Sequence, residues 1–230
     1  MATYKQIFGK AIKSLASDPS AEGLGQIWYN TVSNTYKTFL KPAAWSAGGN
    51  LNTSRDSMMA SRQGPISANL AYGGVITGTI QTTAESYDGS SWTATTALPT
   101  ARQLGGGAGT QTAALAFGGR IPPNTPTATT ESWNGSSWTA ANVMGTARYL
   151  VNASAGTQTA ALAFGGNPGY VTATEEYDGT NWATSPGSMN IPRGDMGGTG
   201  LQTAALAFGG TWYPPGTFVT TITESYDGST

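Results

Sequence analysis

Four arginines and four glutamates recur at fixed places in this 230-residue chain: Arg55, Arg102, Arg148 and Arg193, and Glu85, Glu131, Glu175 and Glu224. With Asp88, Asn134, Asp178 and Asp227, each followed by glycine, they are the repeated side chains whose types could do chemistry. A glycosidase would need an arginine cluster for a sugar carboxylate and a tyrosine or carboxylate pair beside it. The chain has no Cys and no His, which removes disulfides, zinc sites of the usual ligand types, Ser-His-Asp and Cys-His nucleophilic catalysis, and imidazole pH switching. A residue held constant between internal repeats is best explained by the fold. The arginines therefore read as buried and satisfied by a glutamate or by backbone carbonyls. No residue is assigned a catalytic, cofactor-binding or metal-binding role.

The elements that position these residues are repeats. GTQTAALAFGG occupies residues 109–119 and 156–166, GLQTAALAFGG residues 200–210, and a worn copy, PISANLAYGG, ends at Gly74. The terminal glycines Gly74, Gly119, Gly166 and Gly210 are spaced 45, 47 and 44 residues apart, a period that marks a repeat architecture. Trp45, Trp92, Trp138 and Trp182 precede Arg55, Arg102, Arg148 and Arg193 by ten, ten, ten and eleven residues. A Gly/Ala-rich strand, a turn and the apolar TAALAF strand follow. After Gly-Gly comes a variable loop, then a Thr-rich strand through the Glu to YDG or WNG. Asp-Gly and Asn-Gly suit a type I′ turn, which predicts that the Trp strand hairpins back onto the Glu strand. Four short antiparallel strands per 45 residues is the anatomy of a propeller blade, with TAALAF as the shared inner strand.

All five lysines lie in the first 41 residues, giving that segment +3 against Asp18 and Glu22, while six arginines and ten acids leave −4 on the remainder. This composition shift predicts an N-terminal extension, residues 1–41, with its own task. Tyr4, Ile7, Phe8, Ala11, Ile12 and Leu15 have helix-like spacing. Lys5, Ile7, Phe8, Lys10, Ile12, Lys13 and Leu15 are the candidate anchor to a partner. QIWYN and TYKTFL, around the turn TVSN, predict an opening hairpin. Residues 42–230 form the repeat domain. The start lacks the apolar core of a secretory signal and no run is long enough for a membrane span, so a chain made and kept in a cytoplasm is expected.

The hydrophobic strand closed by Gly-Gly, the aromatic before a turn, and Trp with a downstream Arg, as in LAFGG, ESYDG, SSWTA and PTAR, resemble the kelch repeat. The wording TQTAALAFGG with TESYDGSSW is similar to kelch-type repeats in structural proteins of tailed, particularly marine, bacteriophages. GQIWYNTVSNTYKTF resembles segments that open phage fibre and appendage proteins. The resemblance implies an all-β, kelch-like propeller of four-stranded blades, carried as a virion component. Its period is somewhat short of the roughly 50 residues usual for kelch. The last Trp strand would start at residue 231, so either Trp45 completes the last blade or the native chain is longer. Ser86-Tyr87-Asp88-Gly89-Ser90-Ser91-Trp92 resembles the Asp-box of sialidases but is one residue short between Asp and Trp. A cellular kelch-type binding module and a sialidase-like glycosidase are the alternatives.

Other motifs have plain explanations. In Arg193-Gly194-Asp195, the cell-adhesion tripeptide, the arginine already holds the repeat position. GGGAG at residues 105–109 opens a strand and no lysine follows, so it is no phosphate loop. Charged residues are 10% of the chain and the net charge is −1, which suggests no nucleic-acid partner. The loops after Gly-Gly differ between repeats. Arg120, Tyr170, Trp212 and Tyr213 are therefore the candidate ligand or partner face, suited to host-surface carbohydrate by stacking or to a contact between subunits of a homo-oligomer.

Overall fold

The computed structural model describes residues 5–7, 10–17, 27–38, 46–151, 154–212 and 218–229. These residues are all-β, without a helix. The chain divides into two compact units, Met1–Ala47 and Gly48–Thr230. Phe8, Trp45 and Tyr213 lie outside the described residues, as does the expected Trp45 strand.

The first unit holds one four-stranded sheet in sequence order: β1 (Lys5–Ile7), β2 (Lys10–Leu15), β3 (Ile27–Asn30) and β4 (Thr35–Thr38). The helix expected over residues 4–15 is replaced by β1 and β2, which pair antiparallel with Lys5 opposite Ile12. Gly9 costs a helix interior about 1 kcal/mol, and a helix this short is marginal without packing; a ladder satisfies the same backbone groups. Lys5 and Ile7 thus lie on β1, and Lys10, Ile12, Lys13 and Leu15 on β2. β2 runs parallel to β3, Lys13 opposite Trp28. The expected hairpin forms between β3 and β4. Asn30 Oδ1 caps its turn by accepting from the amides of Val32 and Ser33 at 3.0 and 2.9 Å, and Asn34 takes the left-handed conformation.

The second unit repeats one plan four times. Repeat 1 contains β5 (Met59–Ala60), β6 (Asn69–Tyr72), β7 (Val75–Ile76), β8 (Thr79–Ile80), β9 (Ala84–Tyr87) and β10 (Trp92–Thr95). Repeat 2 contains β11 (Gly106–Thr110), β12 (Ala113–Phe117), β13 (Arg120–Ile121), β14 (Thr125–Pro126), β15 (Thr130–Trp133) and β16 (Trp138–Ala141). Repeat 3 contains β17 (Ser154–Gly156), β18 (Ala161–Phe164), β19 (Thr174–Tyr177) and β20 (Trp182–Thr184). Repeat 4 contains β21 (Arg193–Gly194), β22 (Gly197–Leu201), β23 (Ala204–Phe208), β24 (Thr211–Trp212), β25 (Phe218–Val219) and β26 (Thr223–Tyr226). The main sheets are antiparallel, in the orders β5-β6-β9-β10, β11-β12-β15-β16, β17-β18-β19-β20 and β22-β23-β26.

TAALAF is the second strand of its sheet, between the Gly-rich strand and the Glu strand. The Gly-rich strand takes an edge of the sheet, where it approaches the preceding sheet closely: a Cβ on Gly107 would lie 2.2 Å from the Ala60 carbonyl oxygen and 2.6 Å from the Tyr72 hydroxyl. Alternation in Ala-Leu-Ala-Phe sends its large residues to one face and its alanines to the other. Leu70 and Tyr72 pack on Ala114 and Ala116 of the next sheet. Leu115 and Phe117 meet Ala161 and Ala163, and Leu162 and Phe164 meet Ala205 and Ala207. Large side chains fill the room that alanines leave, three times over. Leu115 and Phe117 are fully buried, whereas their counterparts Leu206 and Phe208 are 38% and 43% exposed.

A second series of contacts links the segments that lead into the first strand of each main sheet. Two residues after each repeat arginine, Ser57, Leu104, Leu150 and Asp195 hold φ between 53° and 57°. Their backbones bond in succession: Leu104 N–H to Ser57 O at 3.0 Å, Leu150 N–H to Leu104 O at 2.8 Å, and Asp195 N–H to Leu150 O at 3.2 Å. Gln63 of repeat 1, in the loop after β5, donates from Nε2 to Gly200 O on β22 of repeat 4 at 3.0 Å.

Candidate functional site

The repeated arginines and glutamates form four internal clasps. Arg55–Glu85, Arg102–Glu131, Arg148–Glu175 and Arg193–Glu224 are ion pairs of 2.9, 2.6, 2.8 and 2.8 Å. Each arginine lies in the segment entering its repeat and each glutamate on the third strand of that repeat's sheet. Arg148 shows the full geometry: Nη1 donates to the carbonyls of Gly165 and Ala173 at 2.9 and 2.6 Å, and Nη2 to Glu175 Oε1. The second carboxylate oxygen of Glu175 accepts from the Gly145 amide at 2.6 Å. Glu85 and Glu224 repeat this with the amides of Asn52 and Asn190. Burial lowers the pKa of Arg102 and Arg148 against the pull of their glutamates, and raises that of Glu131 against Arg102. Both charges have been taken out of water, and each is held ionised by the other. Arg193 is fully buried in this role, so Arg193-Gly194-Asp195 does not present its arginine.

The Asp-Gly and Asn-Gly turns also hold structure. The expected hairpins form, with Tyr87 opposite Trp92, Trp133 opposite Trp138 and Tyr177 opposite Trp182, but the turns are not type I′. Four residues separate the strands, and Gly89 has φ 98° while Asp88 keeps a negative φ. The Asp88 carboxylate accepts from the Ser90 and Ser91 amides, each at 2.8 Å, and Asn134 and Asp178 do the same. These amides, with the Ser90 hydroxyl, hold the Asp88 carboxyl well below the usual carboxylate range, and the Asn181 and Thr180 amides lower that of Asp178.

The segments expected as variable loops contain short hairpins, β7-β8, β13-β14 and β24-β25. Each is joined to the residues after a repeat arginine. Asp56 bridges Val75, Gln103 bridges Arg120 and Tyr149 bridges Asn167, while β21 pairs with β24. These bonds arise because backbone leaving the sheet must still be paired. The candidate face is thus distributed over successive repeats. Arg120, on β13, stacks its guanidinium over the Tyr149 ring at 3.6 Å. Tyr170 is half-buried with φ 46°. Trp212, on β24, lies opposite Arg193 and Phe218 in the ladder.

Two sets of residues escape reading by residue type alone. Gln111, Gln158 and Gln202, in the turn before TAALAF, each reach into the preceding sheet. Gln158 Nε2 donates to Ala114 O and Ser132 Oγ at 3.1 and 3.0 Å, and Gln202 Nε2 to Ala161 O and Tyr177 O at 3.1 and 2.8 Å. Their constancy in TQT, TQT and LQT is the signal that could find them. The left-handed series at Ser57, Leu104, Leu150 and Asp195 has no common residue type, so only its offset from the arginine marks it. Among the described residues, no three acidic side chains gather closely enough to hold a metal ion, and no helix is long and apolar enough to cross a membrane. No protein-family model matches this chain, and no curated protein matches it.

Proposed function

We propose that this protein is a non-enzymatic structural component of a tailed-bacteriophage virion, built as a kelch-like β-propeller. The observation that carries the reading is the threefold repetition of one sheet-on-sheet interface, together with the backbone series Ser57–Leu104–Leu150–Asp195. Sheets stacked large face to small face, and bonded in succession at their inner ends, radiate about a common axis as propeller blades do. The repeated charged pairs are consumed in holding each sheet to its entering segment. The repeat domain is a scaffold whose variation is confined to its hairpins.

In this reading the lysine-rich first unit anchors to other virion proteins and the repeat domain projects from the particle. Tyr170, Trp212 and Tyr213, with Arg120, offer aromatic surfaces to host glycans. The test is co-purification with virus particles at a defined copy number. Deleting residues 1–25 abolishes incorporation while β-rich circular dichroism persists; normal incorporation of that deletion removes the anchor role. Binding on a glycan array that is lost in Trp212→Ala/Tyr213→Ala supports the adhesive role, and unchanged binding removes it.

A further inference from the structure

One position breaks the repeat where the other copies agree. By register, Ala60, Gly107, Ser154 and Gly198 hold the same place on the first strands of the main sheets, opposite Ala71, Ala116, Ala163 and Ala207. Two residues on, repeats 2, 3 and 4 have Gly109, Gly156 and Gly200, and repeat 1 has Arg62. Glycine is required in those three: φ is 87°, 97° and 117°, and a Cβ would lie 2.1, 2.0 and 2.2 Å from the carbonyl oxygen four residues on. The connection to the second strand is two residues longer in repeat 1, since Ala60 pairs with Ala71 where Gly107 pairs with Ala116. That length lifts the constraint and admits a side chain. It does not explain why the side chain is charged, in a chain where only 10% of residues are.

The backbone around Arg62 is pinned on two sides. The amides of Arg62 and Gln63 donate to Gly109 O of repeat 2 at 3.0 and 2.8 Å, and the Gln63 side chain reaches Gly200 O of repeat 4. Arg62 lines a cavity of about 270 Å³ together with Gln63, Ser154, Ala155, Gly198 and Gly200 among others, and it is the one charged residue among the described residues of those walls. The other five arginines are engaged, four in the clasps and Arg120 over Tyr149. Arg62 is open to solvent, yet burial lowers its pKa, opposed by Tyr72 and by no carboxylate among the described residues. A backbone donor stands nearby. Gly107 turns both its N–H and its C=O out of the ladder, to the Ser154 hydroxyl; Gly198, in the same register, turns its amide out of β22 likewise.

We propose that Arg62 and this cavity bind a small oxyanion, a phosphate or a carboxylate group, between repeats 1, 3 and 4. A guanidinium offers two parallel N–H donors that match the oxygens of either group, and the Gly198 amide supplies a third. At roughly 30 Å³ for each water, the cavity holds such a group with part of its hydration. Glycine at Gly198 and Gly200 keeps side chains out of the way and lets backbone amides come close to the anion. Charge-assisted bonds are stronger in such partly desolvated surroundings than in open water. An anion seated there touches three repeats and stabilises the chain by binding only its folded state.

The test titrates the whole 230-residue chain with inorganic phosphate, ionic strength being held constant with chloride, and follows amide NMR signals and thermal melting. Phosphate is expected to bind in the millimolar range, to shift the Gly198 and Gly200 amide signals and to raise the melting temperature. Arg62→Gln keeps a long polar side chain without the charge; it is expected to melt with wild type in chloride and to bind phosphate at least about tenfold more weakly. Arg62→Lys retains part of the binding, because the charge remains without the planar fork. A parallel titration with glucuronate assigns the source of the oxyanion. Glucuronate that binds more tightly than phosphate, and is lost in Arg62→Gln, makes the occupant a carboxylated sugar; weaker binding makes it a phosphate. Equal binding of both anions by wild type and Arg62→Gln overturns the proposal. So does binding that leaves Gly198 and Gly200 unmoved, or no binding of either anion.

Discussion

Replacing Arg148 by methionine tests whether the repeated arginine holds the fold or serves a site. Arg148 is 1% exposed and makes three short bonds, to Gly165 O, Ala173 O and Glu175 Oε1. Methionine fills much of the volume but leaves Gly165 O and Glu175 Oε1 without the guanidinium, while Ala173 O keeps the Gly165 amide and Glu175 Oε2 the Gly145 amide. Removing one partner of a buried ion pair costs about 3–5 kcal/mol, a large fraction of the roughly 5–15 kcal/mol that stabilises a domain. With a urea m-value of about 2 kcal/mol/M, the unfolding midpoint falls by about 2 M. The assay is equilibrium urea denaturation followed by tryptophan fluorescence and by circular dichroism. Adding Glu175→Gln neutralises the stranded carboxylate while its amide oxygen still accepts from Gly145 N–H, so the double variant recovers about 1–3 kcal/mol of the loss. Arg62→Ala, at an exposed arginine outside the clasps, is the control and stays within about 0.5 kcal/mol of wild type. The structural reading fails if Arg148→Met unfolds at the same urea concentration as Arg62→Ala, or if Glu175→Gln adds to the damage.

Four further outcomes follow from the same geometry. Trp182→Ala removes an indole packed between Phe117 and Tyr177 and costs about 3–5 kcal/mol, read as a lowered denaturation midpoint. Gln158→Leu leaves the carbonyls of Ala114 and Trp133 without their side-chain donor and costs about 1–3 kcal/mol, measured the same way. Gly107→Ala is destabilising while Ala108→Gly, on the same strand, is milder, since only the first places a Cβ against the Ala60 carbonyl; equal thermal shifts would contradict the close approach. The turn carboxylates set an acid limb: Asp88 and Asp178 have folded pKa values below their unfolded ones, so their contribution is present above the unfolded pKa and lost as pH falls through and below about 4. Asn134 makes the same turn without a titrating group, so Asp88→Asn/Asp178→Asn flattens the loss of stability between pH 5 and 2 in a pH-resolved melting series.

Much of the architecture was legible in the order of residues because repeats allow one copy to be read against another. The strand succession, the pairing of Glu strand with Trp strand and the burial of the arginines follow from constancy at fixed spacing. An arginine and a glutamate invariant among four copies in a charge-poor chain have little use except each other. The failures have equally definite causes. Residues 4–15 carry a pattern that suits helix and strand alike, and pairing with β3 decided for the strand. The Asp-Gly dipeptides announce a turn, but the carboxylate's bonds to the amides two and three residues on set its length.

The sequence by itself determined that the repeated apolar strand has no polar face, since Ala-Leu-Ala-Phe offers none to water, although only its copies in repeats 2 and 3 are buried on both faces while Leu206 and Phe208 stay partly exposed. It also determined where the chain turns, because glycine at φ 60–106° after each apolar strand suits residues without a Cβ. Only the tertiary structure decided that the Gly-rich strand takes a sheet edge, because that depends on how closely two backbones from different sheets can approach. It alone turned the variable segments into hairpins, since the groups they bond to stand just after the repeat arginine, many residues earlier in the chain. It alone set Arg62 and Gly198 beside one cavity, because the two residues belong to the first and last repeats and meet only when the sheets stack.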